Sequence, residues 1–359
     1  MARCCCIPGR AVRLVVSPLP ESEPTASSSR RRRVWPWINA GLTAVLLIGG
    51  IWYLSRTIDF ADIGQALLAA DGRFILLALL TFVLNGCAKA WRWRVLLAPD
   101  EEARVPYAAV FWAVWLGQFV NIILPFLRLG EISRAYAINQ QAGFSKLRAL
   151  STIVIEKSLE LVMLGLLVLV LLPILALPES MRSTGLTFLL IAGAVIVGLI
   201  VVAYQTNWVI AQLRRLFQLL PQPVADRLTR LLIDGLEGLA SLRSRPALGR
   251  LLVSSVLLVL LGLLTPFLLF RAFHIPLGLA EAAVVDSALS LTTSAPSTPG
   301  QLGIFEGTVV LVLFQFGQTN QAISVSFAVV YHLVVLLPKI LLGGLAASRT
   351  NWRWQQNKA

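Results

Sequence analysis

Charge is scarce in this chain: only 14% of its 359 residues are Asp, Glu, Lys or Arg. Histidine occurs twice, and three of the four cysteines are adjacent (Cys4, Cys5, Cys6), with Cys87 standing alone. Two histidines leave no set for a histidine-based metal centre. Three consecutive cysteines have the spacing of neither a disulfide framework nor a CxxC zinc site; the start of the chain reads as unstructured and inert. HExxH, the Walker A pattern and GxSxG are all missing, so the residues of metalloprotease, ATP-hydrolysing and serine-hydrolase chemistry are not there. No catalytic residue, metal or cofactor is expected, and the chain is not read as an enzyme.

What is abundant is grease. Hydrophobic residues make up 57% of the sequence, with a mean hydropathy of +0.76. Apolar runs near 20 residues recur, each long enough to cross about 30 Å of hydrocarbon as a helix. They do not alternate with period two, which excludes a transmembrane β-barrel. Basic residues outnumber acidic ones 31 to 18, and they cluster between the greasy runs. That pattern is the one of cytoplasmic loops, not of nucleic-acid binding.

Residues 1–33 mix Pro, Ser, Glu and Arg and end in four arginines, Arg30–Arg33; they read as a disordered basic cytoplasmic tail. The membrane domain is expected over 34–348. Its first span is Trp35–Leu54, followed by a short amphipathic piece at Ile58–Gly72 on the outer surface. Phe74–Leu97 returns inward, with Lys89, Arg92 and Arg94 as inner-interface charges and Trp91 and Trp93 as anchors. Ala149–Leu177 and Gly185–Tyr204 form the next pair. Residues 205–250 are expected to be a cytoplasmic amphipathic linker, and Asn207–Arg250 carries seven arginines against three acids. Leu251–Phe270 and Ala322–Ala347 are the remaining spans, and 349–359 is a cytoplasmic C-terminal tail.

Two segments resist this scheme. Tyr107–Leu124 runs into Pro125 and Gly130, which break the helix. If it crossed fully, Arg134, Lys146 and Arg148 would lie outside, against the positive-inside rule. A re-entrant hairpin returning through Glu131–Asn139 removes the conflict. The second is Leu279–Ala295, broken by Pro296, Pro299, Gly300 and Gly303 before Ile304–Phe316 resumes. With both termini inside, the number of crossings is even. The expected fold is therefore an all-α polytopic membrane protein with six full transmembrane spans plus two oppositely oriented re-entrant helical hairpins, eight membrane segments in all.

Broken backbone at membrane depth is tolerated only where it is buried in protein or lines a cavity. Paired half-helices from opposite faces are the pattern of a transporter site. The intramembrane charges gather near these breaks: Arg128, Glu131 and Arg134 at the first, Asp286 and Glu306 at the second, and Glu156, Lys157 and Glu160 on a full-length apolar segment. Glu131 and Arg134 are i,i+3 neighbours, and Glu156 and Glu160 share a face at i,i+4. Arginine suits forked phosphate recognition. Glu306 reads equally as a helix-start acid and as a proton or ion relay. His332 reads as a hydrogen-bonded core residue, Lys339 as snorkelling inward, and Asn121 as able to bond across helices.

Four stretches, "AWRWRVLL" (Ala90–Leu97), "GQFVNIILPFLRLGEISRAY" (Gly117–Tyr136), the Glu156–Lys157 pair and "PSTPGQLGIFEG" (Pro296–Gly307), resemble in order and spacing the motifs of the lysylphosphatidylglycerol synthase transmembrane region, also called flippase-like proteins. The resemblance covers about residues 35–348. It implies an inner-membrane domain with re-entrant helices, linked to moving lipids or lipid-linked molecules between leaflets. The motif positions are Arg128, Glu131, Arg134, Glu156, Lys157, Pro299, Gly300, Gly303 and Glu306. Two departures stand out. The first-break arginine lies three residues after the proline, where the family usually has two. The helix pair is Glu-Lys where Asp-Arg is common, which keeps the charge but loses the fork. Family members of two domains also carry a soluble aminoacyltransferase; 359 residues leave no room for one, so lipid lysylation is not expected.

The expected activity is translocation of a phospholipid or lipid-linked anion across the cytoplasmic (inner) membrane. Arg128 and Arg134 would hold the head group, and Glu131, Glu156 and Glu306 would balance or relay charge. The alternatives are a membrane-embedded lipid-modifying transferase and a non-transporting scaffold of an envelope-lipid assembly complex. The expected partners are membrane lipids, no nucleic acid, and a second copy of the chain or a separate lipid-modifying enzyme.

Overall fold

The computed structural model describes residues 60–98, 105–124, 129–171, 244–294 and 298–349, together with scattered positions between 173 and 229. The chain divides into two units, Met1–Val45 and Leu46–Ala359, and the first lies outside the described residues. So do the first expected span, the linker for the most part, and Pro125, Arg128 and Pro296.

Every regular element among the described residues is helical. In chain order they are α1 (Phe60–Ala69), α2 (Gly72–Leu97), α3 (Tyr107–Ile123), α4 (Leu129–Ala142), α5 (Lys146–Leu171), α6 (Arg245–Ala272), α7 (Leu279–Thr292), a 3₁₀ turn at Pro299–Gln301, α8 (Ile304–Gln315) and α9 (Gln321–Arg349). Three of them, α2, α6 and α9, are long and apolar enough to cross a membrane. Helix α5 has 26 residues, a length of about 39 Å, but Glu156, Lys157 and Glu160 interrupt its apolar stretch.

Most boundaries fall within a few residues of the sequence expectation, and two differ by more. Helix α6 starts at Arg245, so the last residues assigned to the linker belong to a span. Pro246 sits at the first helical turn, where its missing N–H is not needed. Helix α5 stops at Leu171, before Pro173, because proline cannot continue the ladder. Its expected end was Leu177.

The two broken segments form helix pairs. Helices α3 and α4 have 17 and 14 residues, and α7 and α8 have 14 and 12. At 1.5 Å per residue none of the four alone matches a hydrocarbon layer of about 30 Å. Helices α3 and α4 pack antiparallel through their smallest residues. Gly117 faces Gly130 so closely that a methyl on Gly130 would run into the Gly117 carbonyl oxygen. Without a hydrophobic force between helices in lipid, such close backbone approach is what holds them. Helices α7 and α8 pack on each other, and Thr308 Oγ1 donates to Thr292 Oγ1 across them at 3.3 Å.

Each pair is embedded in its own apolar core. The first gathers Trp93, Trp115, Leu116 and Ile138. The second gathers Phe270, Phe305, Phe327 and Tyr331, with Phe270 and Phe327 stacked 5.2 Å apart. Helices α2 and α6 pack on each other along their length, with Thr81 and Thr265 hydroxyls 3.0 Å apart and Asn85 donating to the Leu258 carbonyl at 2.9 Å. Leu76, Leu80, Leu252, Leu311, Phe314 and Leu341 point outward and are exposed, an apolar outer face that suits lipid.

Candidate functional site

The first pair is shaped by one asparagine. Asn121, near the end of α3, accepts from the Gly130 backbone N–H at 2.8 Å and lies 3.4 Å from Glu131 Oε2 through Nδ2. It thus caps the start of α4 from a neighbouring helix. With α4 fixed, Arg134 one turn later is carried inward against α2 and α5.

There the helix periodicity of three elements converges. Lys89 and Arg92 are three apart on α2, and Glu156 and Glu160 are four apart on α5, so each pair projects from one face. Arg134 grips Glu156 with both terminal nitrogens, at 2.7 and 3.4 Å. Arg92 Nη2 bonds Glu160 Oε1 at 2.8 Å and lies 3.6 Å from Glu156 Oε1. Lys89 reaches Glu160 at 3.0 Å, and Lys157 closes the ring on the other oxygen of Glu160 at 2.8 Å. Glu156 is fully buried, and Arg92 and Arg134 nearly so. Burying a charge without a partner costs several kcal/mol, which is why the six groups form one network. Four cations meet two carboxylates here. Two positive charges are in excess, and among the described residues the Nε–H groups of Arg92 and Arg134 find no hydrogen-bond partner.

Arg92 and Trp93, expected at the inner interface, are covered by protein. Arg92 is 1% exposed inside the network, and Trp93 is fully buried. The Trp93 indole N–H donates to Thr152 Oγ1 at 3.0 Å, and its ring lies 4.2 Å under the Arg134 guanidinium. The reason is that α2 packs on both α5 and α6 at this depth, leaving no lipid-facing side for these residues. Glu131 and Arg134, i,i+3 neighbours on α4, take different partners: Arg134 turns to Glu156 of α5 and Glu131 to Asn121. Arg94 donates Nε–H to the Val105 carbonyl at 2.7 Å, tying the end of α2 to the start of α3.

Beside the network lies a cavity of about 640 Å³. Its charged wall is Lys89, Arg92, Lys157 and Glu160, joined by Glu131 and by Lys339 from α9. Its apolar wall is Leu161, Leu164 and Leu167 of α5 with Leu258 and Val259 of α6. Its far end is polar: Asp286, Ser287 and Ser290 of α7, then Thr293, Ser294 and Gln301 beyond it. Asp286 presses on Gly262 of α6, where a methyl group would sit 3.0 Å from Oδ2. Arg134 and Glu156 stand behind the wall and do not line it.

The second break is a tight turn. Gly300, Gln301 and Gly303 have φ of 68°, 62° and 82°. Two of these left-handed positions are glycine, which adopts them without steric penalty. Glu306, in the first turn of α8, accepts from the Gly303 N–H at 2.7 Å, the carboxylate half of a capping box. Its other oxygen meets His332 Nδ1 at 2.6 Å, and His332 Nε2 meets the Gly300 carbonyl at 2.9 Å. Phe305 stacks flat on the His332 ring at 4.5 Å.

Of the residues singled out in the sequence, Arg134, Glu156, Lys157 and Glu160 are brought together. Glu131 and Asp286 line the same cavity, and Glu306 holds the turn that carries Gln301. Gly130 supports the first pair, and Pro299, Gly300 and Gly303 build the turn. Lys89 as a network member and His332 as the partner of Glu306 were not anticipated. The i,i+3 spacing of Lys89 and Arg92, matching that of the α5 acids, was the available signal for the first. Nothing local signals the second.

An all-helical chain with apolar spans, two broken helix pairs and buried charge around a two-sided cavity is a polytopic membrane protein. The family model of the lysylphosphatidylglycerol synthase TM region matches residues 40–343. That is most of the chain, which therefore belongs to this family. Among curated proteins, none matches it.

Proposed function

We propose that this chain translocates a phospholipid or lipid-linked anionic substrate between the leaflets of the cytoplasmic membrane, with both termini on the cytoplasmic side. In this reading it has six full spans, and α3–α4 and α7–α8 are re-entrant hairpins entering from opposite faces. The shortness of the four half-helices and the cations Arg134 of α4 and Lys146 and Arg148 at the start of α5 support that topology.

The observation that carries the reading is the two-sided cavity between the breaks. Its volume falls within the roughly 300–1,000 Å³ of ligand sites, enough for a head group while acyl chains stay in the bilayer. Lys89, Arg92 and Lys157 attract the anionic phosphate. Arg134 holds Glu156 in place behind them. The leucines of α5 and α6 accept the glycerol and first methylenes, and the hydroxyls and Asp286 at the far end bond the polar remainder of the head. A phospholipid substrate agrees with the lipid in the family's name.

Reconstituted vesicles with labelled phosphatidylglycerol in one leaflet test this. The full chain should equilibrate the label faster than protein-free vesicles. Replacing Lys89 and Lys157 together by Ala should slow it roughly tenfold or more, the loss of two charge-assisted contacts. Equal rates with and without protein, or an unaffected double variant, would refute the reading.

A further inference from the structure

The contact between Glu306 and His332 fixes a proton count. A carbonyl oxygen only accepts, so His332 Nε2, 2.9 Å from the Gly300 oxygen, must carry a hydrogen. A neutral imidazole holding its hydrogen there has a bare lone pair on Nδ1. That atom lies 2.6 Å from Glu306 Oε1. Two lone pairs cannot face each other at hydrogen-bond distance, so a further proton lies between them. The pair is either imidazolium with carboxylate or imidazole with carboxylic acid.

We propose that Glu306 and His332 form an exchangeable proton-binding site that controls the turn at the second break. Glu306 is the accessible partner, its side chain 25% exposed against 5% for His332. Among the described residues, the charged or titratable side chain in contact with Glu306 is that of His332. On α7, Asp286 acts on the neighbouring Tyr331, and Lys339 of α9 faces the cavity further along. Helix α3, against which the turn packs, brings no charged residue.

Binding one proton from water closes the chain Gly300 carbonyl–imidazole–carboxylate–Gly303 N–H. Losing it to water leaves one hydrogen on the imidazole, held at Nδ1 by the carboxylate, and sets the bare Nε2 against the Gly300 carbonyl oxygen, which releases one of the two grips on the turn. Gln301 sits inside that chain at φ 62°, a conformation that L residues disfavour, and its side chain lines the cavity. Proton occupancy is therefore transmitted to the cavity wall through a single peptide unit. In the translocation reading, on which this clause alone rests, the proton is the ion that resets the cavity.

The test uses the full chain in lipid nanodiscs, labelled with ¹⁵N-histidine. His274→Asn removes the other histidine, and Asn tolerates its φ of 54°. A Leu302→Cys variant lacking the native cysteines reports access to the turn. Across the pH interval in which the site releases its proton, His332 Nε2 should change from N–H to a bare lone pair. Glu306→Gln supplies a permanent N–H donor to Nδ1 and should leave Nε2 protonated throughout. Alkylation of the thiol introduced by Leu302→Cys, taken as a ratio to the Glu306→Gln background at each pH, should rise about fivefold or more across that interval. A constant Nε2 state, or a flat alkylation ratio, overturns the proposal. Neither readout needs lipid movement, so failure of translocation in the vesicle assay leaves this result standing, and the reverse.

Discussion

Arg134 and Glu156, 22 residues apart in the chain, meet through two hydrogen bonds at 2.7 and 3.4 Å with both side chains buried. The pair joins the first broken segment to the helix that follows it. It thereby fixes where the cationic wall of the cavity stands.

Removing one side of that pair strands the other. Glu156→Ala should destabilise the protein by about 3–5 kcal/mol, the usual penalty for an uncompensated buried charge. Thermal unfolding in detergent should show a large loss. Arg134→Met combined with Glu156→Leu should recover part of it, because the stranded charge is gone.

The close approach of α3 and α4 leaves no room for a side chain at Gly130. Gly130→Ala should cost about 1–3 kcal/mol through overpacking. A lowered unfolding temperature with unchanged membrane insertion is the expected outcome. An unaffected unfolding temperature would show that the two helices separate freely.

The proposed topology puts Ser145 and Gln318 on opposite faces of the membrane. In a chain stripped of its four cysteines, Ser145→Cys should label from the cytoplasmic side and Gln318→Cys from the outer side. Labelling of Ser145→Cys from outside would make α3 a full crossing and remove the paired-hairpin site.

Filling the cavity should block function without unfolding the protein. Leu164→Trp places a larger apolar group on the apolar wall, in open volume and not in the packed core. Lipid equilibration should fall roughly fivefold or more, about 1 kcal/mol in rate terms, while the unfolding temperature holds. Unchanged equilibration would mean that the lipid takes another route.

The sequence by itself determined the kind of protein. Apolar runs of fixed length dictate membrane helices, because hydrocarbon leaves backbone groups no other partner than their own helix. Proline and glycine announced both breaks, and α3, α4, α7 and α8 lie within a few residues of where they were expected. The sparse charges marked the neighbourhood of the site for the same reason: charge at membrane depth is costly and needs a use. Helical periodicity also tells which residues share a face of one helix, as with Glu156 and Glu160.

Only the tertiary structure decided which faces meet. Arg134 bonds Glu156, 22 residues on, and not Glu131, its i,i+3 neighbour. Arg92 and Trp93 became interior residues because α5 and α6 close over that side of α2. His332 acquired its partner because α9 folds back on the turn before α8. Such pairings rest on the packing of helices distant in sequence, where side-chain volume and backbone approach select one arrangement. The periodicity of a single segment carries no information about them.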